Sequence, residues 1–187
     1  LNADLSIAAA SAVLDRSDRL LGPDEIQLAL DRVAAGINTA LRNEAARPLA
    51  LVLMKGGLVF AGQLLTRLQL PVDIDYVDAS RYGESTRGGA LGWRVPVPAT
   101  VSARTVLILD DVLDEGLTLA AVKSAVLAAG AARALVGVFA EKRLARPKPV
   151  SADFCGVTLP DRYVFGYGMD VQGLWRNLPA VYALREP

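Results

Sequence analysis

Histidine is absent from this chain of 187 residues, and cysteine occurs once, as Cys155. The first absence removes the usual general base, any histidine-containing triad and most zinc sites. Acid–base chemistry then falls to carboxylates, Lys, Tyr or Cys, and any metal is expected to be a hard, oxygen-seeking ion such as magnesium. A lone cysteine cannot close an internal disulfide, so nothing points to an oxidising compartment. Neither sign of charge is in excess: Lys+Arg and Asp+Glu number 20 each, without the bias expected of a nucleic-acid or membrane-surface binder. No apolar run is long enough to span a bilayer. The N-terminus carries acids where a signal peptide has a basic region. The expectation is a cytoplasmic protein that engages neither nucleic acid nor membrane. With 52% hydrophobic residues, the chain has enough apolar mass for one domain with a sizeable core, over residues 1–187.

Periodicity supplies the elements. A short helix is expected over about residues 3–15. Gly22-Pro23-Asp24 reads as a helix start, and Ile26, Leu30, Val33, Ile37 and Leu41 then recur at steps of three and four, the stripe of an amphipathic helix. Residues 49–54 read as a buried strand broken by Lys55-Gly56-Gly57, and 58–68 as a helix. Pro71 opens a second strand. Residues 79–92 are rich in Gly, Ser, Thr and charge and read as a long loop, of the kind that usually carries function. A short strand is expected over 93–97. Strands at 105–109 and 134–139 flank a helix over 118–129 that stops at Gly130. Strands alternating with helices imply an α/β fold: a mostly parallel twisted sheet with helices on both faces. Residues 144–187 hold most of the aromatics, five prolines and no clear helix. They read as short strands and loops, with the chain ends forming a small hood.

The stretch "VLILDDVLDEGLTLAAV" (106–122) carries the chemistry. An apolar strand ends in Asp110 and Asp111, followed by Asp114, Glu115, Gly116 and a helix. In an open parallel sheet ligands bind beyond the carboxyl ends of the strands, and unpartnered carboxylates are costly to bury, so these acids should face a cleft. The following helix N-terminus offers unpaired amides and a positive dipole end to a phosphate. Gly116 lets the backbone approach, and the Thr118 hydroxyl adds a hydrogen bond. Amides for phosphate and acids for ribose hydroxyls, directly or through magnesium, would together hold a sugar phosphate. A single acid there would be an ordinary helix cap; two adjacent acids and then Asp-x-Gly-x-Thr argue for a site.

That stretch resembles the phosphoribosyl-pyrophosphate (PRPP) signature of the type I phosphoribosyltransferases. The resemblance implies that Asp110 and Asp111 hold the ribose hydroxyls and that the main chain of Glu115, Gly116, Leu117 and Thr118 cradles the 5′-phosphate. Glu115 stands where the family usually has Thr, so its carboxylate must point away. Leu117 stands where Lys or Arg is common. Residues 51–65 look like the pyrophosphate loop of the hypoxanthine-guanine phosphoribosyltransferases, with Lys55 and Gly56 as binding residues and a bond before the lysine that can be cis. Residues 138–170 are similar to that branch's purine-binding region. By this likeness Lys142 donates to the purine 6-oxo group, Tyr163 stacks on the base, and Val164 lends its backbone to the base edge. Asp170 joins Asp110 and Asp111 near magnesium (Mg2+), and Arg176 binds pyrophosphate. Residues 79–86 match the mobile active-site loop, with Arg81-Tyr82 in place of Ser-Tyr. The implied partners are PRPP and a purine base, the implied catalytic group is Asp114 acting on the N7 proton, and the implied assembly is a homo-oligomer, dimer or tetramer. Two alternatives stay open: a nucleotide-sensing regulator on the same fold without catalysis, and an enzyme preferring xanthine.

Overall fold

The computed structural model describes residues 7–81 and 91–185. A helix, α1 (Ile7–Asp15), and a strand, β1 (Ser17–Leu21), precede the long helix α2 (Pro23–Leu41). The α2 start follows from its sequence. Pro23 takes the first position, the Gly22 N–H donates to Glu25 Oε2 at 2.7 Å, and Asp24 and Glu25 sit at the positive end of the helix. The stripe from Ile26 to Leu41 is buried, as its spacing predicts. Then come β2 (Leu49–Met54), α3 (Gly57–Leu65), β3 (Asp73–Arg81), β4 (Leu91–Val95), β5 (Thr105–Leu113), α4 (Leu117–Ala128) and β6 (Arg133–Lys142). The last elements are β7 (Phe154–Leu159), β8 (Val164–Phe165) and β9 (Val181–Leu184).

The main sheet has the order β4-β3-β2-β5-β6-β7, parallel throughout except for β4 at one edge. Alternate residues of β5 serve opposite faces. Leu107 and Leu109 pack with Ile37 of α2 and Phe60 of α3, while Val106 and Ile108 pack with Val122 and Val126 of α4. Each fully buried aliphatic side chain of this kind contributes about 1.5–3 kcal/mol. A second sheet, β1-β9-β8, is antiparallel and joins the two chain ends, the hood expected from the sequence.

Three expectations need correction. β1 falls where only helices were expected; its residues alternate poorly, and pairing with β9 makes it a strand. β5 does not stop at Leu109: Asp110 pairs with Val138 and Val112 with Ala140, because β6 also runs on to Lys142 and keeps the ladder going. The loop expected over 79–92 is strand at both ends: β3 runs on to Arg81 and β4 begins at Leu91, because Ala79, Ser80 and Arg81 pair with Trp93, Gly92 and Leu91. No helix among the described residues is long and apolar enough to cross a membrane.

Candidate active site

A cleft of ≈ 540 Å³ opens at the carboxyl ends of the central strands. Asp110 and Asp111 of β5 form its floor, 8% and 7% exposed. Their local bonds are made within the pair and the next residue: Asp111 N–H donates to Asp110 Oδ1 at 2.9 Å and Val112 N–H to Asp111 Oδ1 at 2.7 Å. Burial, and for Asp110 the neighbouring acid, push both carboxyls above the usual carboxylate range, Asp110 well above it. Two buried acids with raised pKa on the floor of a cleft call for a partner that supplies donors or positive charge.

The adjoining β2–α3 turn is fitted against these acids. A Cβ on Gly56 would sit 2.2 Å from Asp111 Oδ2, so only glycine lets the turn and the carboxylate share this space. The Met54–Lys55 peptide is cis. Lys55 and Gly56 both line the cleft, and Lys55 is exposed. Across from them Arg176 pairs with Asp170 at 2.5 Å and donates to Gly168 O at 2.7 Å.

On the far side of Asp110 the β5–α4 turn encloses a hollow of ≈ 350 Å³ lined by residues 114–119. Gly116 holds φ 79° as the residue before α4, and no side chain caps the helix. Asp114 is thus no helix cap, and the first α4 amides are left to face the hollow. The Glu115 carboxylate pairs with the Arg146 guanidinium, which neutralises it beside the hollow.

Asp114 instead meets Lys142, Nζ to Oδ2 at 2.6 Å. Both line the main cleft together with Tyr163 and Val164. Tyr163 is 54% exposed, and no ring stacks on it among the described residues. The other aromatics of this segment are structural. Phe165 stacks on Tyr182 with centroids 5.7 Å apart. Tyr167 lies against Phe139 at 4.6 Å and donates its hydroxyl to Gln63 Oε1 at 3.1 Å; burial raises its pKa to about 12. Trp175 Nε1 donates to Ala10 O at 2.7 Å. Val164 is buried and pairs with Ala183 in the hood.

One cleft therefore gathers Lys55, Gly56, Asp110, Asp111, Asp114 and Lys142, and also Tyr163, Val164, Asp170 and Arg176. Glu115, Gly116, Leu117 and Thr118 line the adjoining hollow, which shares Asp110 and Asp114 with the cleft. Tyr82 lies outside the described residues, and of Arg81 only the backbone, at the end of β3, is described. The structure adds residues that sequence reasoning did not select. Asp78 and Arg94 line the same cleft. Lys148 Nζ donates to Leu113 O at 2.9 Å, Lys142 O at 2.7 Å and Glu141 Oε1 at 3.0 Å, tying together the ends of β5 and β6 that carry Asp114 and Lys142. The charge-rich run at 141–148 was the only signal, and it does not say which lysine turns inward.

Among the described residues no three His, Cys, Asp or Glu side chains gather into a cage for a metal. Asp170 already accepts from Arg176 and, at 2.7 Å, from the Gly173 N–H. A few carboxylates beside an anion site suit Mg2+, which takes one or two protein oxygens and fills the rest of its shell from phosphates and water.

The family model of the phosphoribosyl transferase domain matches residues 23–172, and the chain belongs to that family. The hypoxanthine-guanine phosphoribosyltransferase of Bacillus subtilis is 30% identical over 167 residues, 89% of this chain and 92% of the relative. Its counterpart in Staphylococcus epidermidis is 28% identical over 173 residues, 91% of this chain and 95% of the relative. Among solved structures, a lysine-to-arginine mutant of the Trypanosoma cruzi hypoxanthine phosphoribosyltransferase, a ternary substrates complex, superposes with TM-score 0.84 at 26% identity; the match covers 91% of this chain and 97% of the other. The Staphylococcus aureus hypoxanthine phosphoribosyltransferase shares the fold, with TM-score 0.84 at 23% identity over 98% and 97% of the two chains. Within the family, the likeness runs to the hypoxanthine-guanine branch.

Proposed function

We propose that the protein salvages purines by moving the 5-phosphoribosyl group of PRPP onto hypoxanthine or guanine, yielding IMP or GMP and pyrophosphate, and that it works as a homo-oligomer in the cytoplasm. The observation that carries the choice of base is the Lys142–Asp114 pair at 2.6 Å. An ammonium donor beside a carboxylate acceptor matches one edge of a 6-oxopurine, where the O6 acceptor lies next to an N7–H donor. Adenine would turn an amino group toward the ammonium and leave two donors facing each other. The exposed face of Tyr163 suits stacking on the flat base, and Val164 offers main-chain groups to its edge.

Asp110 and Asp111 accept from the ribose 2′- and 3′-hydroxyls, which adds donors to the single main-chain N–H that each acid meets. The amides of Glu115, Gly116, Leu117 and Thr118 receive the 5′-phosphate at the positive end of α4. Lys55, Gly56 and Arg176 hold the pyrophosphate. As the C1′–O bond to pyrophosphate breaks, the purine N9 bonds to C1′, and the N7 proton passes to Asp114. Positive charge develops on the ribose ring and negative charge on the leaving group, and fixed cations stabilise the latter. Mg2+, held by Asp110, Asp111 or Asp170 and by substrate oxygens, would add charge neutralisation at the leaving group when bound.

A nucleotide-formation assay with PRPP, Mg2+ and each of hypoxanthine, guanine, xanthine and adenine tests the reading. Hypoxanthine and guanine are expected to react at least about a hundredfold more efficiently than adenine. Equal use of adenine, or no PRPP-dependent product with any base, would refute it.

A further inference from the structure

We propose that Arg94 is a pyrophosphate-binding residue, delivered to the cleft by a bulge in the sheet edge; the proposal rests on the phosphoribosyl-transfer reading above. Pairing between β3 and β4 is antiparallel, with Ala79 opposite Trp93 but Asp78 opposite Val95. Arg94 is thus the extra residue on β4, with no counterpart on β3. An extra residue of this kind bends the edge strand and re-aims its side chain, and such bulges gather beside active sites. Trp93, next to it, packs against the core face that holds Val77 and Ala79, while Arg94 is exposed and lines the cleft.

The position is on the side where the leaving group is expected. Asp78 pairs with Met54 on one side and Val95 on the other, so a single residue of β3 separates the Lys55 turn from Arg94. Charge accounting points the same way. Among the described residues the cations lining the cleft are Lys55, Arg94, Lys142 and Arg176. Lys142 is neutralised by Asp114 and Arg176 by Asp170. Among the described residues Lys55 and Arg94 have no ion-pair partner, whereas the carboxylates of Asp78, Asp110 and Asp111 also face the cleft. A multiply charged diphosphate in that acid-lined space needs the two free cations, and a guanidinium grips adjacent phosphate oxygens with two donors at once.

The test compares wild type with Arg94→Met, which keeps the aliphatic stem, and Arg94→Lys, which keeps the charge. Titration calorimetry of Mg2+-pyrophosphate needs no turnover. Arg94→Met should weaken pyrophosphate binding, and raise the PRPP KM, about tenfold or more, with the Ki of the nucleoside monophosphate product moved less than about twofold. Arg94→Lys should recover part of the loss. Unchanged pyrophosphate affinity in Arg94→Met, or an equal loss of pyrophosphate and nucleotide affinity, would overturn the assignment. A wild type that binds pyrophosphate through Arg94 but forms no nucleotide from PRPP would sink the functional reading and leave the Arg94 assignment standing. An active wild type with normal pyrophosphate binding in Arg94→Met would do the reverse.

Discussion

On one side of the cleft, Gly56 follows β2 and Asp110 and Asp111 lie within β5, all buried, with their neighbours fixed by the β2–β5–β6 ladder. On the other side Tyr163 stands half exposed beside a three-stranded sheet drawn from both ends of the chain. The outer wall is held by ion pairs. Arg162 Nη2 donates at 2.8 Å to both Asp18 Oδ2 and Leu184 O, and Arg185 Nε donates to Asp18 Oδ1 at 2.9 Å. Asp18 and Arg162 are 144 positions apart. The two walls also treat acids in opposite ways. Burial raises the carboxyls of Asp110 and Asp111, whereas the guanidinium groups of Arg185 and Arg162 hold Asp18 below its ordinary value. A close-packed wall tolerates almost no added volume, while a hydrated, ion-paired wall can yield without collapsing.

The sharpest way to break this contrast is Gly56→Ala. A methyl group 2.2 Å from Asp111 Oδ2 must push the turn or the carboxylate aside. We expect about 1–3 kcal/mol of lost stability in denaturant unfolding and a fall in kcat/KM of about a hundredfold. Near-normal activity would mean that the inner wall is looser than its packing indicates.

Asp110→Asn separates stability from function on the same wall. The folded-state pKa of Asp110 lies above 3.8, its ordinary value. The native state therefore binds the proton more tightly than the unfolded chain. The resulting stabilisation of the ligand-free protein is full below 3.8 and is lost as pH rises through the raised value. At neutral pH the variant should gain about 2–6 °C in Tm, show a flatter Tm against pH above 3.8, and lose activity. A lower Tm at neutral pH would contradict the reading that burial of the Asp110 charge is unfavourable.

The smallest effect is expected on the outer wall. Asp18→Asn removes an exposed partner of Arg162 and should raise the purine KM by up to about fivefold, with the PRPP KM and kcat nearly unchanged. High salt should shrink the difference. Because the pKa of Asp18 is lowered, its contribution is present above 3.8 and disappears as pH falls through the folded value. A matching rise in the PRPP KM would show that the two walls do not move independently.

The same contrast explains how far the sequence could be read. The inner wall is local: the strand, the acid pair, Gly116 and the α4 start all lie within residues 105–118, and their order already implies amides for phosphate and acids for sugar. The Lys55-Gly56 turn was legible for the same reason. The hood was legible only as a change in composition after residue 144. β1 exists because β9 pairs with it, and Asp18 has its role because Arg162 arrives from the far end; all of β1, and Arg185 too, lie outside the family match at 23–172. Arg94 went unselected because a bulge is a property of strand pairing, set by β3 as much as by β4. The Lys142–Asp114 contact joins two motifs far apart in the chain, one ending β6 and one following β5, whose residues the resemblance had already assigned to one purine.

The most direct measurement is a crystal structure with GMP and Mg2+-pyrophosphate bound together. The expected result is one nucleotide whose base lies on the Tyr163 ring with O6 on Lys142, whose phosphate meets the amides of 115–118, and with pyrophosphate against Lys55, Arg94 and Arg176. A nucleotide that leaves Lys142 and Tyr163 untouched while its phosphate sits away from the β5–α4 turn would contradict the whole assignment.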